Sequence, residues 1–409
     1  MISMRTLDAP MLFVAVLTVV AALLLADAPA NPHVLSAAVK NADGDAAAPV
    51  RMAQGVSPRV TIDSQGRVFV VYGRTDSNRK GGVYLRVSED RGATFGDEVR
   101  VSEFEWIPMG MGRGPRIAVG ENGIVVTAVG RLRANETARN LYAWHSRDNG
   151  RTWRGPVTIN RVQDSARECM HDVTVSPSDG RFFVVWLDLR NTSGTEVWAA
   201  ASRDGQRWDR DGQIYRAPGG TVCQCCDPAV AYDPSGRLHV AFRNVVGANR
   251  DIYWMSSTDH GRRWSTAEKV GNGSWAVESC PMAPPTFVFP RTAVAEGEET
   301  QATTQTLTLW NRGDVVYQCE PGQAEQRVGD GHWPAAAAAG DGGLHTLWMA
   351  GQRFRPGSIR YRNPAGEART VARDARMPHV AAGRGEFAGL VIGAWDTAAG
   401  DIEVVRLAQ

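Results

Sequence analysis

The sequence predicts an all-β fold, a β-propeller assembled from repeated small antiparallel sheets. Three observations predict it. First, seven strand starts align along the chain: Pro58-Arg-Val-Thr-Ile, Pro115-Arg-Ile-Ala-Val, His171-Asp-Val-Thr-Val, Pro228-Ala-Val-Ala-Tyr, Pro285-Thr-Phe-Val-Phe, Pro334-Ala-Ala-Ala-Ala and Pro378-His-Val-Ala-Ala. They stand 57, 56, 57, 57, 49 and 44 residues apart, a period with room for several strands per unit, as propeller blades require. Second, four copies of one turn recur in step with those starts: Ser88-Glu-Asp90-Arg-Gly92-Ala-Thr94-Phe95, Ser146-Arg-Asp148-Asn-Gly150-Arg-Thr152-Trp153, a shortened Ser202-Arg-Asp204-Gly205-Gln-Arg-Trp208, and Ser257-Thr-Asp259-His-Gly261-Arg-Arg-Trp264. Ser and Asp side chains can bond backbone groups inside such a turn, and Gly accepts positive φ there. Third, apolar segments ending in an aromatic recur at the same period, at Tyr72, Trp186, Phe242, Trp310, Trp348 and Trp395. Aromatics at blade period are expected core.

In chain order, Arg5 precedes an uncharged run from Met11 to Leu25, and Ala28-Pro29-Ala30 follows as a small-residue cleavage site. A run of that length suits a secretory signal peptide and is short for a membrane span. The pattern predicts a signal peptide over 1–30, a linker rich in Ala, Asn and Asp over 31–49, and a propeller domain over 50–409. The mature chain is then exported, periplasmic or secreted, with no stable membrane span after cleavage; an uncleaved N-terminal anchor is the alternative.

Each unit continues alike. A turn such as Asp63-Ser-Gln-Gly66 or Asp233-Pro-Ser-Gly236 leads into the apolar second strand; a third strand such as Gly82–Val87 or Glu196–Ala201 follows, then the Asp-containing hairpin and a fourth strand. The last unit, from Pro378 to Gln409, has room for three strands, so a segment near Val50–Gly55 is expected to supply the fourth and close the ring. Closure removes exposed sheet edges. The count is seven units. The expected state is a monomer. Formal net charge is +1, which provides no field to attract nucleic acid.

The four hairpins resemble the Asp-box of sialidase-like (BNR-repeat) proteins, at repeat level, over nearly all the chain after about residue 50. The resemblance implies a propeller, with the boxes as scaffold on the face opposite the active site. It implies six blades rather than the seven counted. It also implies an arginine triad that binds a sugar carboxylate, an Asp acid/base, and a Tyr nucleophile activated by Glu.

Three groups of residues map to the face shared by the blade-to-blade loops and the loops after second strands, the usual site of function. The first is arginine. Arg59 and Arg116 begin inner strands; Arg74, Arg131, Arg190, Arg243 and Arg312 follow second strands. Guanidinium forks bind carboxylates bidentately, so these are candidate ligand contacts. The other reading is that they brace loops against neighbouring acids such as Asp188 or against carbonyls. The second group is catalytic. The Pro58-Arg59-Val60 and Val70-Val-Tyr-Gly-Arg74 stretches look like a loose version of the family's first-blade arginine, and Asp76 in the following loop is the candidate acid/base. No Tyr stands on the late inner strands, so no nucleophile is assigned.

The third group is Cys, Met and His: Cys169-Met170-His171, Cys223-Gln-Cys225-Cys226 and Cys280-Pro-Met282 open three consecutive units. In an exported chain these predict disulfides. Alternatively Cys225, Cys226, Cys280, His171 and Met282 supply the soft ligands that copper(I) prefers. The leading function is thus an exported propeller that binds or hydrolyses acidic glycans and requires no cofactor. Whether it is a glycoside hydrolase stays open. The alternatives are a non-enzymatic copper-binding propeller and a protein-interaction scaffold.

Overall fold

The structure, a computed structural model, describes residues 48–279, 281–296 and 299–409. The segments read as signal peptide and linker lie outside these residues, except the last two positions of the linker. All described residues fall in the compact unit Ser36–Gln409.

The described chain is strand and turn throughout, with one short 3-10 turn at Gly385–Phe387. Val56–Ile62, Val68–Thr75, Gly81–Ser88 and Val99–Phe104 pair antiparallel in that order, and four-stranded sheets of the same order are built from segments within 116–158, 171–215 and 229–269. The expected third strands are present at Gly81–Ser88 and Glu196–Ser202. A fifth four-stranded sheet departs from the repeat. Between its first strand, Thr286–Val288, and its second, Leu307–Arg312, the chain inserts a separate hairpin, Arg291–Glu296 paired with Glu299–Thr304.

The last two repeat units form one sheet of seven strands, in the order Val50–Gln54, Asp401–Ala408, Val391–Thr397, Ala368–Ala382, Gly357–Arg362, Leu344–Ala350, His332–Ala338. The cause is the 15-residue strand Ala368–Ala382. It pairs with Gly357–Arg362 at one end and Val391–Thr397 at the other. Between them lie register shifts and two residues of positive φ, Asp374 and Met377, where other units have a loop. Bulges bend a strand without breaking it. The short final interval in the sequence is this missing loop. Val50–Gln54 pairs antiparallel with Asp401–Ala408, as the expected fourth strand does.

Second strands are buried on both faces. Phe182–Asp188 and Leu238–Arg243 have no exposed residue, because each sheet is covered by its neighbours. Tyr72, Trp186, Phe242 and Trp395 are fully buried, and Trp310 and Trp348 are 3% exposed, as the periodicity predicts. Each such side chain contributes about 1.5–3 kcal/mol by leaving water.

The Asp-boxes satisfy themselves. In the second copy the Ser146 hydroxyl donates to Asp148 Oδ1 at 2.8 Å and accepts the Gly150 amide at 2.9 Å, while Asp148 Oδ1 accepts the Thr152 amide at 2.9 Å. The first and fourth copies repeat the pattern. The box glycine has a second duty. Gly150 has φ +84°, and a Cβ there would lie 2.3 Å from Leu85 of the preceding sheet; Gly205 abuts Val125, Gly261 abuts Phe183, and Gly92 abuts Ile392. Each box therefore fastens its unit onto another sheet.

Candidate functional site

The second residues of the seven aligned strand starts are Arg59, Arg116, Asp172, Ala229, Thr286, Ala335 and His379. All seven line one channel of about 590 Å³, and all seven also line the narrower pocket at its end. Successive strand residues point to opposite sides, so one register position repeated on the inner strands gathers these side chains around one cavity. Of these, three neighbours are small or weakly polar and four carry chemistry.

Arg116 is buried. Its Nη2 lies 3.1 Å from Asp227 Oδ2 and its Nε 3.9 Å from Asp172 Oδ1. It also donates from Nη2 to the Gly112 carbonyl at 2.5 Å. The close approach of Asp227 requires Gly112: a Cβ there would stand 2.4 Å from Asp227 Oδ2. Both carboxylates are held by backbone amides of neighbouring units. Asp227 Oδ1 accepts His171 N–H at 3.1 Å, and Asp172 Oδ2 accepts Val230 N–H at 3.0 Å. Burial raises the Asp227 carboxyl to about 6, against the pull of Arg116 and Arg59, and burial raises Asp172 as well. A carboxyl that holds its proton to near pH 6 can act as an acid under mild conditions.

Arg59 is partly buried and donates to the Pro58 carbonyl at 3.0 Å. Among the described residues it makes no ion pair. Burial, then the facing charge of Arg116, lowers its guanidinium to about 9. His379 accepts the Val60 amide at Nδ1, 3.3 Å away. Burial and the two arginines hold it far below the ordinary histidine range. A neutral imidazole accepting at Nδ1 carries its proton on Nε2. Together with Asp227, which lines only the narrower pocket, these residues offer a cation, a neutral donor and two carboxylates around Arg116.

The remaining predicted arginines lie elsewhere, each already engaged. Arg74 pairs with both carboxylate oxygens of Glu98, donates to the Gln54 carbonyl at 2.7 Å, and lies 4.3 Å from the Tyr84 ring. Arg190 forks onto Asp188 at 2.8 Å, reaches Asp211 at 2.6 Å and stacks 3.4 Å from Trp198. Arg243, 1% exposed, donates to the carbonyls of Ala283, Arg250 and Asn311. Arg131 donates to the Glu136 carbonyl at 3.3 Å, and Arg312 pairs with Glu325. The bracing reading describes these five. Asp76 is exposed and caps its own turn, accepting the Asn78 and Lys80 amides at 2.8 and 2.9 Å. Neither Asp76 nor Arg74 is in the channel lining, so the structure does not join them to Arg59 as one catalytic group.

The sulfur residues divide. Cys223, Cys225 and Cys226 are buried together, with Met282 packed against them. The Cys223 sulfur lies 3.6 Å from that of Cys225 and 3.8 Å from that of Cys226. Cys169 belongs to a different core cluster, where burial raises its thiol to about 12. His171 turns its Nε2 to the Thr127 hydroxyl at 3.1 Å. Among the described residues it does not group with the three sulfurs. Cys280 lies outside the described residues. Cys169, Cys223, Cys226 and Cys319 are free thiols among the described residues; Cys225 is not among them.

Asp172, Asp227 and His379 were not among the predicted site residues. Asp172 and His379 were legible in the alignment of strand starts read as a column, where they share the position of Arg59 and Arg116. Asp227 stands one residue before that alignment and needed the fold.

Residues 117–283 match the family described as BNR repeat-like domain. No curated protein matches the chain. Among solved structures, an α-L-arabinanase of Penicillium chrysogenum complexed with arabinobiose superposes with a TM-score of 0.52 at 11% identity, over 89% of this chain and 98% of that one. A Hadza microbial sialidase has a TM-score of 0.44 at 18% identity, over 73% and 64%. A Trypanosoma rangeli sialidase in complex with the inhibitor DANA has 0.45 at 14%, over 87% and 55%. Residues 117–283 thus carry a BNR repeat-like domain, and the all-β fold of the chain is similar to that of the Penicillium chrysogenum α-L-arabinanase.

Proposed function

We propose that this protein binds or hydrolyses a carboxylate-bearing glycan at the ring formed by Arg59, Arg116, Asp172, Asp227 and His379. One observation carries the reading. Arg59 is a partly buried cation with no ion pair among the described residues, and it faces a second arginine. An anionic ligand relieves both the desolvation and the repulsion, and a guanidinium fork fits a sugar carboxylate. The channel volume, about 590 Å³, suits a small glycan. The arabinanase was solved with arabinobiose and the Trypanosoma rangeli sialidase with an inhibitor, which supports a glycan-type ligand.

For hydrolysis, Asp227 is the proton donor to the leaving oxygen, since it keeps its proton to about pH 6. Asp172 is the second carboxylate. Paired carboxylates of unlike environment are the usual glycosidase device. Export follows from the charged, apolar and small-residue run at the N-terminus. We further infer seven blades closed into a ring, supported by the seven strand starts along one channel and by the pairing of Val50–Gln54 with Asp401–Ala408. Removal of Asp401–Gln409 should then destabilise the whole domain; a truncated protein that melts like the full chain argues against closure.

The test is calorimetric titration with sialic acid, a uronic-acid disaccharide and arabinobiose, alongside turnover of the matching fluorogenic glycosides. The acidic sugars should bind, and Arg59→Ala should weaken them by about 1.5–3 kcal/mol. Turnover that disappears in Asp227→Asn assigns hydrolysis; binding without turnover leaves a lectin-like function. No acidic sugar bound by the folded protein, or equal binding by Arg59→Ala, overturns the reading.

A further inference from the structure

The Cys223-Gln-Cys225-Cys226 segment has no part in the glycan reading. Its three sulfurs lie within 4.8 Å of one another, in a setting whose polar groups are donors. Arg250 Nη1 donates to the Cys223 sulfur at 3.3 Å, and the Ala283 amide donates to the Cys226 sulfur at 3.2 Å. An accepted N–H hydrogen bond favours the thiolate, the form that ligates metals, and works against the burial that raises the Cys226 thiol. Arg243 is buried beside the same loop and holds its end in place, its carbonyl accepting the Cys223 amide at 2.8 Å. Val245 and Met282 cover the sulfurs with apolar surface.

We propose that Cys223 and Cys226 form a binding site for one copper(I) ion. Both are free thiols, each 1% exposed, with sulfurs 3.8 Å apart. That separation needs only a slight opening to admit an ion between them. Cys225 is already engaged and is not a ligand. Soft thiolates select copper(I) and zinc. Zinc takes four ligands, and among the described residues no histidine or carboxylate joins these sulfurs. Copper(I) is satisfied by two thiolates. Each thiol gives up its proton as its sulfur–copper bond forms, and the copper stays univalent throughout. The guanidinium groups of Arg250 and Arg243 offset the negative charge of a bis-thiolate complex.

The test uses the full mature chain, held anaerobically without added thiol reductant so that the bridged Cys225 stays engaged, titrated with copper(I) against a chromophoric chelator. One equivalent should be taken up. X-ray absorption of that complex should report two sulfur neighbours, a signature that does not depend on any variant. Cys223→Ser and Cys226→Ser should each abolish uptake, while Cys319→Ser, remote on another sheet, should keep it. Circular dichroism confirms that each variant is folded. No uptake by the folded wild type, with Cys223 and Cys226 verified as free thiols, overturns the site, as does uptake that survives the Cys223→Ser/Cys226→Ser double variant. Uptake with nitrogen or oxygen as the main neighbours also overturns it.

Discussion

Two sets of arginines, alike in sequence, are used in opposite ways. Those that follow second strands are paid-up members of the scaffold: Arg74 with Glu98, Arg190 with Asp188 and Asp211, Arg312 with Glu325. Those at inner-strand starts face the channel, and Arg59 has no carboxylate partner among the described residues. The difference follows from position in the sheet. The end of a second strand lies beside third and fourth strands that can offer an acid or a ring face, so its guanidinium is absorbed locally. The start of an inner strand looks across the channel at other starts, and what it meets is decided by distant repeats. An arginine pattern in sequence therefore gives candidates, and the neighbour decides which of them is available to a ligand.

The sharpest way to break this comparison is Arg243, the most buried of the scaffold arginines. Arg243→Ala removes a side chain that satisfies three carbonyls in the core. It should cost about 3 kcal/mol or more of unfolding free energy, read by denaturant titration. A loss under about 1 kcal/mol would falsify the view that this arginine is structural.

Arg74 and Arg59 sharpen the contrast directly. Arg74→Ala loses a partly exposed bidentate pair and a ring contact, about 1 kcal/mol of stability, with ligand affinity unchanged. Arg59→Ala should do the reverse, losing affinity while the melting temperature holds or rises, because a desolvated cation beside Arg116 is removed. If both variants change the same property, the division between scaffold and channel arginines fails.

The pH dependence tests the channel set from the acid side. The Asp227 carboxyl is raised to about 6, so it is charged above that pH and neutral below it. As pH falls through about 6, Arg116 loses the neutralising charge of Asp227, and an anionic sugar should bind more tightly. Asp227→Asn, neutral at every pH, should abolish that step and keep the tighter affinity up to pH 8. Titrations from pH 5 to pH 8 decide it, and a wild-type affinity flat across that range removes Asp227 from the ligand's surroundings.

The smallest effect belongs to the hairpins. Ser146→Ala leaves the Gly150 amide without its hydroxyl acceptor and should cost about 1 kcal/mol, with no change in binding. A measurable change in ligand affinity would place the box nearer the site than its contacts with Leu85 and Trp153 allow.

By itself the sequence determined what depends on near neighbours. The Asp-boxes form from residues two to four apart, and their hydrogen bonds were legible as Ser, Asp and Gly at fixed offsets. The apolar second strands and their closing aromatics were legible because every unit buries the same face. The pairing of Val50–Gln54 with the C-terminal strand was legible from a unit one strand short. Tertiary structure decided the rest. It joined the last two units through one bulged strand and inserted a hairpin after Val288. It brought Asp227 to Arg116, buried Cys169 away from Cys223 and Cys226, and left Asp76 to cap its own turn. These contacts join residues tens to hundreds of positions apart, where no local preference acts, and the partner is whatever the packing of separate sheets brings within reach.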